Sequence, residues 1–183
     1  MRVISGRFKG RRLTNFKAEH IRPTTDRVKE TIFNILMHDV REARVLDLFS
    51  GTGSLGIEAL SRGASFSEFV EIHKTSLRII RENLQQLGVD TEAHITAQDV
   101  FKFLKTYKGK PFDIIFIDPP FTEAIAHKCM EAVIPSRVAA LNTKVIIEAS
   151  RHERIDDKYG PFHLLDRRQF GDKSASFFQR EEV

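Results

Sequence analysis

The feature that most constrains this chain is a rhythm. Five short apolar runs, at 44–49, 66–71, 92–96, 112–117 and 144–149, alternate with stretches of helical periodicity. Runs of five or six apolar residues bounded by turn residues suit buried strands rather than helices. The stretches between them predict helices over 54–62, 75–87, 99–107 and 122–133. In 75–87, Leu77, Ile80, Leu84 and Leu87 fall on one side, and Gly88 follows as a stop; Gly63 ends 54–62 in the same way. Parallel strands need a crossover of about this length, and such crossovers are right-handed. The expectation is an α/β chain whose mostly parallel sheet carries helices on both faces.

Two further elements flank that rhythm. Before it, Thr24 or Thr25 can cap a helix that runs to Asp39, with Val28, Ile32, Ile35 and Leu36 forming its apolar stripe. After it, 162–168 and 174–179 read as an antiparallel hairpin turning at Gly171-Asp172. The 183 residues suit one domain, 23–183, preceded by a basic hairpin or arm over 1–22.

Composition excludes several classes. The chain is 41% hydrophobic and 30% charged, which is globular rather than disordered. No apolar run approaches the roughly 20 residues of a membrane span. The opening Met-Arg-Val-Ile-Ser-Gly lacks a signal-peptide apolar core. A single cysteine, Cys129, permits no internal disulfide and fits a reducing cytoplasm. It lies beside Met130 on an expected helix and reads as a core filler. The seven histidines show no paired ligand spacing, so no metal is expected.

Charge is distributed unevenly. Residues 1–29 hold nine Lys/Arg against two acids, a surplus of seven; the rest holds 20 against 23. A basic end of this kind is the footprint of a polyanion contact. Glycines and phenylalanines interleave the bases, unlike a plain solvated charge run. Arg7, Lys9, Arg11, Arg12 and Arg22 are the candidate RNA-binding residues.

The first strand-to-helix turn reads Val45-Leu-Asp47-Leu-Phe-Ser-Gly51-Thr-Gly53-Ser-Leu-Gly56, with Glu71 twenty residues beyond Gly51. Gly51, Gly53 and Gly56 match the dinucleotide pattern, in which backbone amides and a helix N-terminus meet an anionic group. Asp47 argues against a nicotinamide dinucleotide, because a carboxylate inside the strand would repel a pyrophosphate. It suits a cofactor with a cationic group. S-adenosylmethionine has an ammonium for Asp47, a carboxylate for the loop amides and a ribose for Glu71. The plainer alternative is that Gly51 and Gly53 only make a tight turn. Asp99 is equally readable as an acceptor for the adenine amine, with Val100 covering the ring, and as the N-cap of its own helix.

Asp118-Pro119-Pro120-Phe121 directly follows the fourth apolar run. Two prolines end the strand ladder and stiffen the corner. The corner offers a carboxylate, carbonyl acceptors and one aromatic ring at a strand's carboxyl end. The plainer alternative is a strand-terminating turn with a helix-capping aspartate.

Asp47 to Gly53, Glu71, Asp99 and Asp118-Pro-Pro-Phe, in this order and spacing, resemble the S-adenosylmethionine-dependent amino-methyltransferases. The start, Met-Arg-Val-Ile-Ser-Gly-Arg-Phe-Lys-Gly-Arg-Arg-Leu, followed by Arg22-Pro-Thr-Thr-Asp-Arg-Val-Lys-Glu, narrows the resemblance, as does Glu148-Ala-Ser-Arg151. The chain resembles the bacterial 16S rRNA (guanine(966)-N2)-methyltransferase family over nearly its whole length. The tail around 171–178 departs more from that pattern.

The resemblance implies a Rossmann-like class I methyltransferase fold, with a seven-stranded sheet and an antiparallel edge hairpin. It implies a cofactor site of Asp47, Phe49, Ser50, Gly51, Thr52, Gly53, Glu71, Ile72, Asp99, Val100 and Thr24. The catalytic set is Asp118, Pro119, Pro120 and Phe121, with S-adenosylmethionine as cofactor and S-adenosylhomocysteine as product. The expected partner is 16S rRNA or the small ribosomal subunit in assembly, met by a monomer without a membrane. The corner alone serves adenine N6 as well as guanine N2, so a DNA or other RNA amino-methyltransferase stays open. A non-catalytic ribosome-assembly protein is the alternative from another class.

Overall fold

The computed structural model describes residues 1–15, 25–121 and 124–182. Arg22 and Thr24, and the expected helix start at Thr122, lie outside the described residues.

In chain order the elements are α1 (Asp26–Leu36), β1 (Arg44–Leu48), α2 (Ser54–Ser61), β2 (Phe66–Glu71), α3 (Lys74–Leu87), β3 (Ala93–Ala97), α4 (Val100–Thr106), β4 (Phe112–Ile117), α5 (Ala126–Val133), β5 (Ala139–Ser150), β6 (Lys158–Tyr159), β7 (Phe162–Phe170) and β8 (Lys173–Arg180). Short 3-10 turns follow α1 at Met37–Val40 and precede β3 at Asp90–Glu92. The strands form one sheet ordered β3-β2-β1-β4-β5-β8-β7-β6. The first five are parallel, and β8, β7 and β6 add antiparallel strands at one edge.

The expected seven strands become eight. The extra one is the two-residue β6, which pairs with β7 across Gly160-Pro161. A strand this short carries no periodicity to read. β5 also begins at Ala139 rather than Lys144. Asn142 turns through φ 66, and the pairing with β4 shifts register between Phe112 and Ile114. Thr143 fastens the irregularity, donating to the Phe112 carbonyl at 2.7 Å and accepting from the Ala140 amide at 2.9 Å. The polar Asn142-Thr143 pair reads as a break in the sequence and is a bulge inside one strand.

The strand period of two sorts residues between two cores. Val45, Phe69, Ile114, Phe116, Ile146 and Phe177 face α1, α2 and α3, while Leu46, Leu48, Ile115, Ile117, Val145 and Phe178 face α4 and α5. Gly56 allows α2 to lie close to β2, since a Cβ there would stand 2.4 Å from the Phe69 ring. Cys129 is fully buried between α5 and the sheet, and burial pushes its thiol up.

The first fifteen residues form a hairpin, with Arg2 bridged to Arg12 and Val3 exchanging hydrogen bonds with Arg11 and Gly10. Val3 and Leu13 are buried against α1 and α2. Polar anchors hold it there. Glu58, fully buried on α2, accepts from the Ile4 and Ser5 amides at 2.9 and 3.0 Å. It also pairs with Lys29 at 3.3 Å and Arg62 at 2.9 Å. The Lys29 ammonium donates to the Arg2 carbonyl at 2.7 Å, and the Asn83 side chain accepts from the Thr14 amide at 2.7 Å and donates to the Thr14 carbonyl at 3.1 Å. Gly6 closes against the end of α2, where a Cβ would meet the Ser61 carbonyl oxygen at 1.9 Å.

Candidate active site

Strand register assembles the site. Leu48 pairs with Val70 on one side and Ile117 on the other, and Glu71 pairs with Ala97. The residues just beyond those positions therefore line up along the carboxyl ends of four adjacent strands. They are Phe49 after β1, Ile72 after β2, Gln98 and Asp99 after β3, and Asp118 after β4. Ligands of open parallel sheets bind at this edge.

The glycine loop is tied to β2 through Glu71. One of its carboxylate oxygens accepts from the Gly51 amide at 2.9 Å, and the other accepts from Ile72 and His73 at 2.7 and 2.9 Å. Phe49, Gly51 and Gly53 hold φ of 59°, 57° and 80°. A phenylalanine in the left-handed region is strained, as residues at functional turns often are. Ser50 donates to the Asp47 carbonyl at 2.6 Å, and Thr52 sits beneath the hairpin against Met1. Ile72 is 56% exposed, an unusual position for a large apolar side chain and one suited to covering an aromatic ring.

Asp47 is 2% exposed and accepts from the Gly56 amide in the first turn of α2 at 3.0 Å. Burial raises its carboxyl well above the usual range; the Gly56 hydrogen bond opposes this, and the charges of Asp118 and Glu71 add to it. A cationic group beside Asp47 would oppose this shift. Together with the loop amides and exposed Ile72, Asp47 fits the ammonium, carboxylate and adenine of S-adenosylmethionine. Asp99 caps α4, accepting from the Lys102 amide at 2.9 Å, and Val100 is buried behind it. The capping alternative for Asp99 is thus realised through one of its two oxygens.

At the corner, Pro119 is buried, Asp118 and Phe121 are half-buried, and Pro120 is exposed. The Lys173 ammonium lies 4.4 Å from the centre of the Phe121 ring and 3.9 Å from Glu148. Sequence reasoning gave Lys173 no role. It reaches Phe121 only because β8 runs antiparallel to β5 with Lys173 opposite Ser150.

The five candidate RNA-binding residues divide. Arg7 is ion-paired with Glu92, which it meets at 3.1 Å through one of two contacts, and Arg11 donates to the Gln86 carbonyl at 3.0 Å. Glu92 precedes β3 and Gln86 ends α3, so both lie at the amino end of the parallel strands. Asp118 is at the other end, one strand length away, roughly 16–20 Å for five or six residues. Lys9 and Arg12 are exposed. The signal that could have been used was the Gly6 to Gly10 spacing, which places the hairpin tip away from both chain ends of the arm.

Among the described residues, no cluster of three or more His, Cys, Asp or Glu is arranged to hold a metal ion. No described helix is long and apolar enough to cross a membrane.

Fold and site together define an S-adenosylmethionine-dependent methyltransferase of the class I, Rossmann-like architecture. The chain belongs to the family described as Conserved hypothetical protein 95, which it matches over residues 1–179. It is similar to proteins named Ribosomal RNA small subunit methyltransferase D. That of Haemophilus influenzae is 39% identical over 82% of this chain and 79% of its own length. That of Escherichia coli K12 is 30% identical over 99% and 90%. Among solved structures, a putative methyltransferase from Escherichia coli superposes with a TM-score of 0.89 at 30% identity, covering 100% of this chain and 99% of its own. A putative methylase from Haemophilus influenzae gives 0.85 at 33%, covering 99% and 98%.

Proposed function

We propose that this chain transfers the methyl group of S-adenosylmethionine to the exocyclic N2 of a guanine in small-subunit rRNA. The observation that carries the chemistry is the register that sets the Asp118-Pro-Pro-Phe corner beside the electronegative glycine loop. The choice of rRNA follows relatives that are 30–39% identical and carry that substrate in their names.

S-adenosylmethionine, when bound, supplies a methyl group already activated by its sulfonium. Asp47 and the loop amides would hold its amino-acid end, Glu71 its ribose, and Ile72 with Val100 its adenine. The acceptor amine is a poor nucleophile because its lone pair is delocalised into the base. Asp118 and the Pro119 carbonyl accept its two N–H bonds and aim the lone pair at the methyl carbon. Phe121 stacks on the base, which must leave its helix or loop to reach the corner. Such stacking contributes about 1–3 kcal/mol per base. The new N–C bond would form as the sulfonium S–C bond breaks, its electron pair staying on sulfur to give S-adenosylhomocysteine; the methylated amine becomes acidic, and Asp118 would take its proton. Positioning supplies much of the acceleration, since the donor is already reactive.

Exposed Lys9 and Arg12 contact the RNA backbone away from the reacting base. Arg7 and Arg11 join them only by giving up Glu92 and the Gln86 carbonyl. The protein acts as a monomer in the cytoplasm. The deciding experiment incubates labelled S-adenosylmethionine with small subunits that lack the modification and analyses the nucleosides. N2-methylguanosine should appear with wild type and not with D118A. Methyl-adenosine, or no product at any protein concentration, would overturn the proposal.

A further inference from the structure

We propose that Lys173, beside Glu148, is a positioning residue that holds one face of the Phe121 ring and leaves the opposite face to the base. The inference rests on the stacking role given to Phe121 above. Ile117 pairs with Ile147, so Glu148 stands level with Asp118 on the next strand. Glu148 pairs in turn with Ala175, two residues from Lys173. The period of two sets Asp118, Glu148 and Lys173 on the same sheet face as Ile114, Ile146 and Ala175.

The lysine covers one face of the ring. Glu148 is 1% exposed and the Lys173 side chain 13%, and Phe121 is itself partly buried. The ammonium lies 3.9 Å from the buried carboxylate, between it and the ring. The geometry, 4.4 Å to the ring centre, is that of a cation–π contact. A buried ion pair gains little stability over apolar residues of the same volume, because desolvation offsets the attraction. What an apolar replacement would not reproduce is the fixed ring angle, or the pull of π density towards the ammonium. That pull leaves the opposite face less negative and better suited to the π cloud of a purine.

The test compares wild type, K173M, K173Q, K173R, F121A and the K173M/F121A double variant. It measures kcat and KM with small subunits lacking the modification, and cofactor affinity by calorimetry. K173M and K173Q should lower kcat about tenfold while cofactor affinity stays at the wild-type value. K173R, which keeps the cation, should recover to within about twofold of wild type. In the F121A background, K173M should add less than about twofold, because the lysine acts through the ring. Wild-type rates for K173M and K173Q, full additivity in the double variant, or no recovery in K173R would overturn the role of Lys173 while F121A remains slow. A wild-type rate for F121A would instead overturn the stacking role on which the inference rests.

Discussion

Two groups of buried acids border α2, and they are built in opposite ways. Glu58 is fully buried, yet two cations and two backbone amides meet it. Asp47 is as deeply placed, but an amide is its counterpart and its charged neighbours, Asp118 and Glu71, are acids. Backbone amides meet both Asp47 and Glu71. The first group is complete within the chain and ties the N-terminal hairpin to α1 and α2. In the second, amides meet Asp47 and Glu71, and the proposed cofactor would bring a cationic group to Asp47. A buried charge is costly unless paired, so on this proposal Asp47 is a place where stability is given up for binding.

That contrast can be broken by mutation. E58A should lower stability most, by about 3–5 kcal/mol, because Lys29 and two amides lose their acceptor inside the fold. Denaturant unfolding measures it; a change below about 1 kcal/mol would show that the balanced group is dispensable. D118A should do the reverse. Its kcat should fall about 10²–10⁴-fold with the unfolding midpoint unmoved, and a parallel loss of stability would erase the distinction.

D47N sharpens the comparison further. The folded Asp47 carboxyl titrates above its unfolded value. Its contribution to stability is therefore present below the unfolded carboxylate range and lost as pH rises through the folded value. Removing the charge should leave the apo protein at neutral pH as stable as wild type or more so. Cofactor affinity should fall about 10–100-fold, the scale of one charge-assisted hydrogen bond. Wild-type affinity should rise with pH through the Asp47 titration, because a cationic group displaces the proton, and D47N should flatten that rise. Calorimetry at several pH values decides it, and a pH-independent wild type would refute the account.

The smallest effect is expected on the arm. K9E and R12E should weaken RNA binding modestly and lower its salt slope by about one for each phosphate no longer neutralised. R7E should instead act through stability, by opposing Glu92. An unchanged salt slope in K9E and R12E would remove the arm from the interface.

Several of these residues were legible beforehand because their signals are local. The glycine loop is a strand followed by residues that accept positive φ, and Gly51 and Gly53 do adopt it. Two prolines after an apolar run mark the end of β4 whatever surrounds them. The helical stripe of 75–87 survives as buried Leu77, Ile80, Leu84 and Leu87 in α3. Glu71 was recognisable from its spacing, and the structure adds that it bonds the loop directly.

Other features depended on contacts between residues far apart in the chain. A count of bases at residues 1–29 was sound, but it carried no direction. Only the docking of the hairpin on α2 sends Arg7 and Arg11 to the amino end of the strands, one strand length from Asp118. The tail read as a hairpin, yet its period did not reveal that antiparallel pairing with β5 delivers Lys173 to Phe121 across 52 residues of chain. Nor did it reveal β6 or the bulge that lets β5 start at Ala139. The sequence by itself determined the alternation of elements, the turn chemistry and the reactive groups, because propensity and periodicity act over a few residues. Tertiary structure decided which cations meet Glu58 and that Lys173 meets Phe121, because both are set by strand register and packing between segments that no local pattern links.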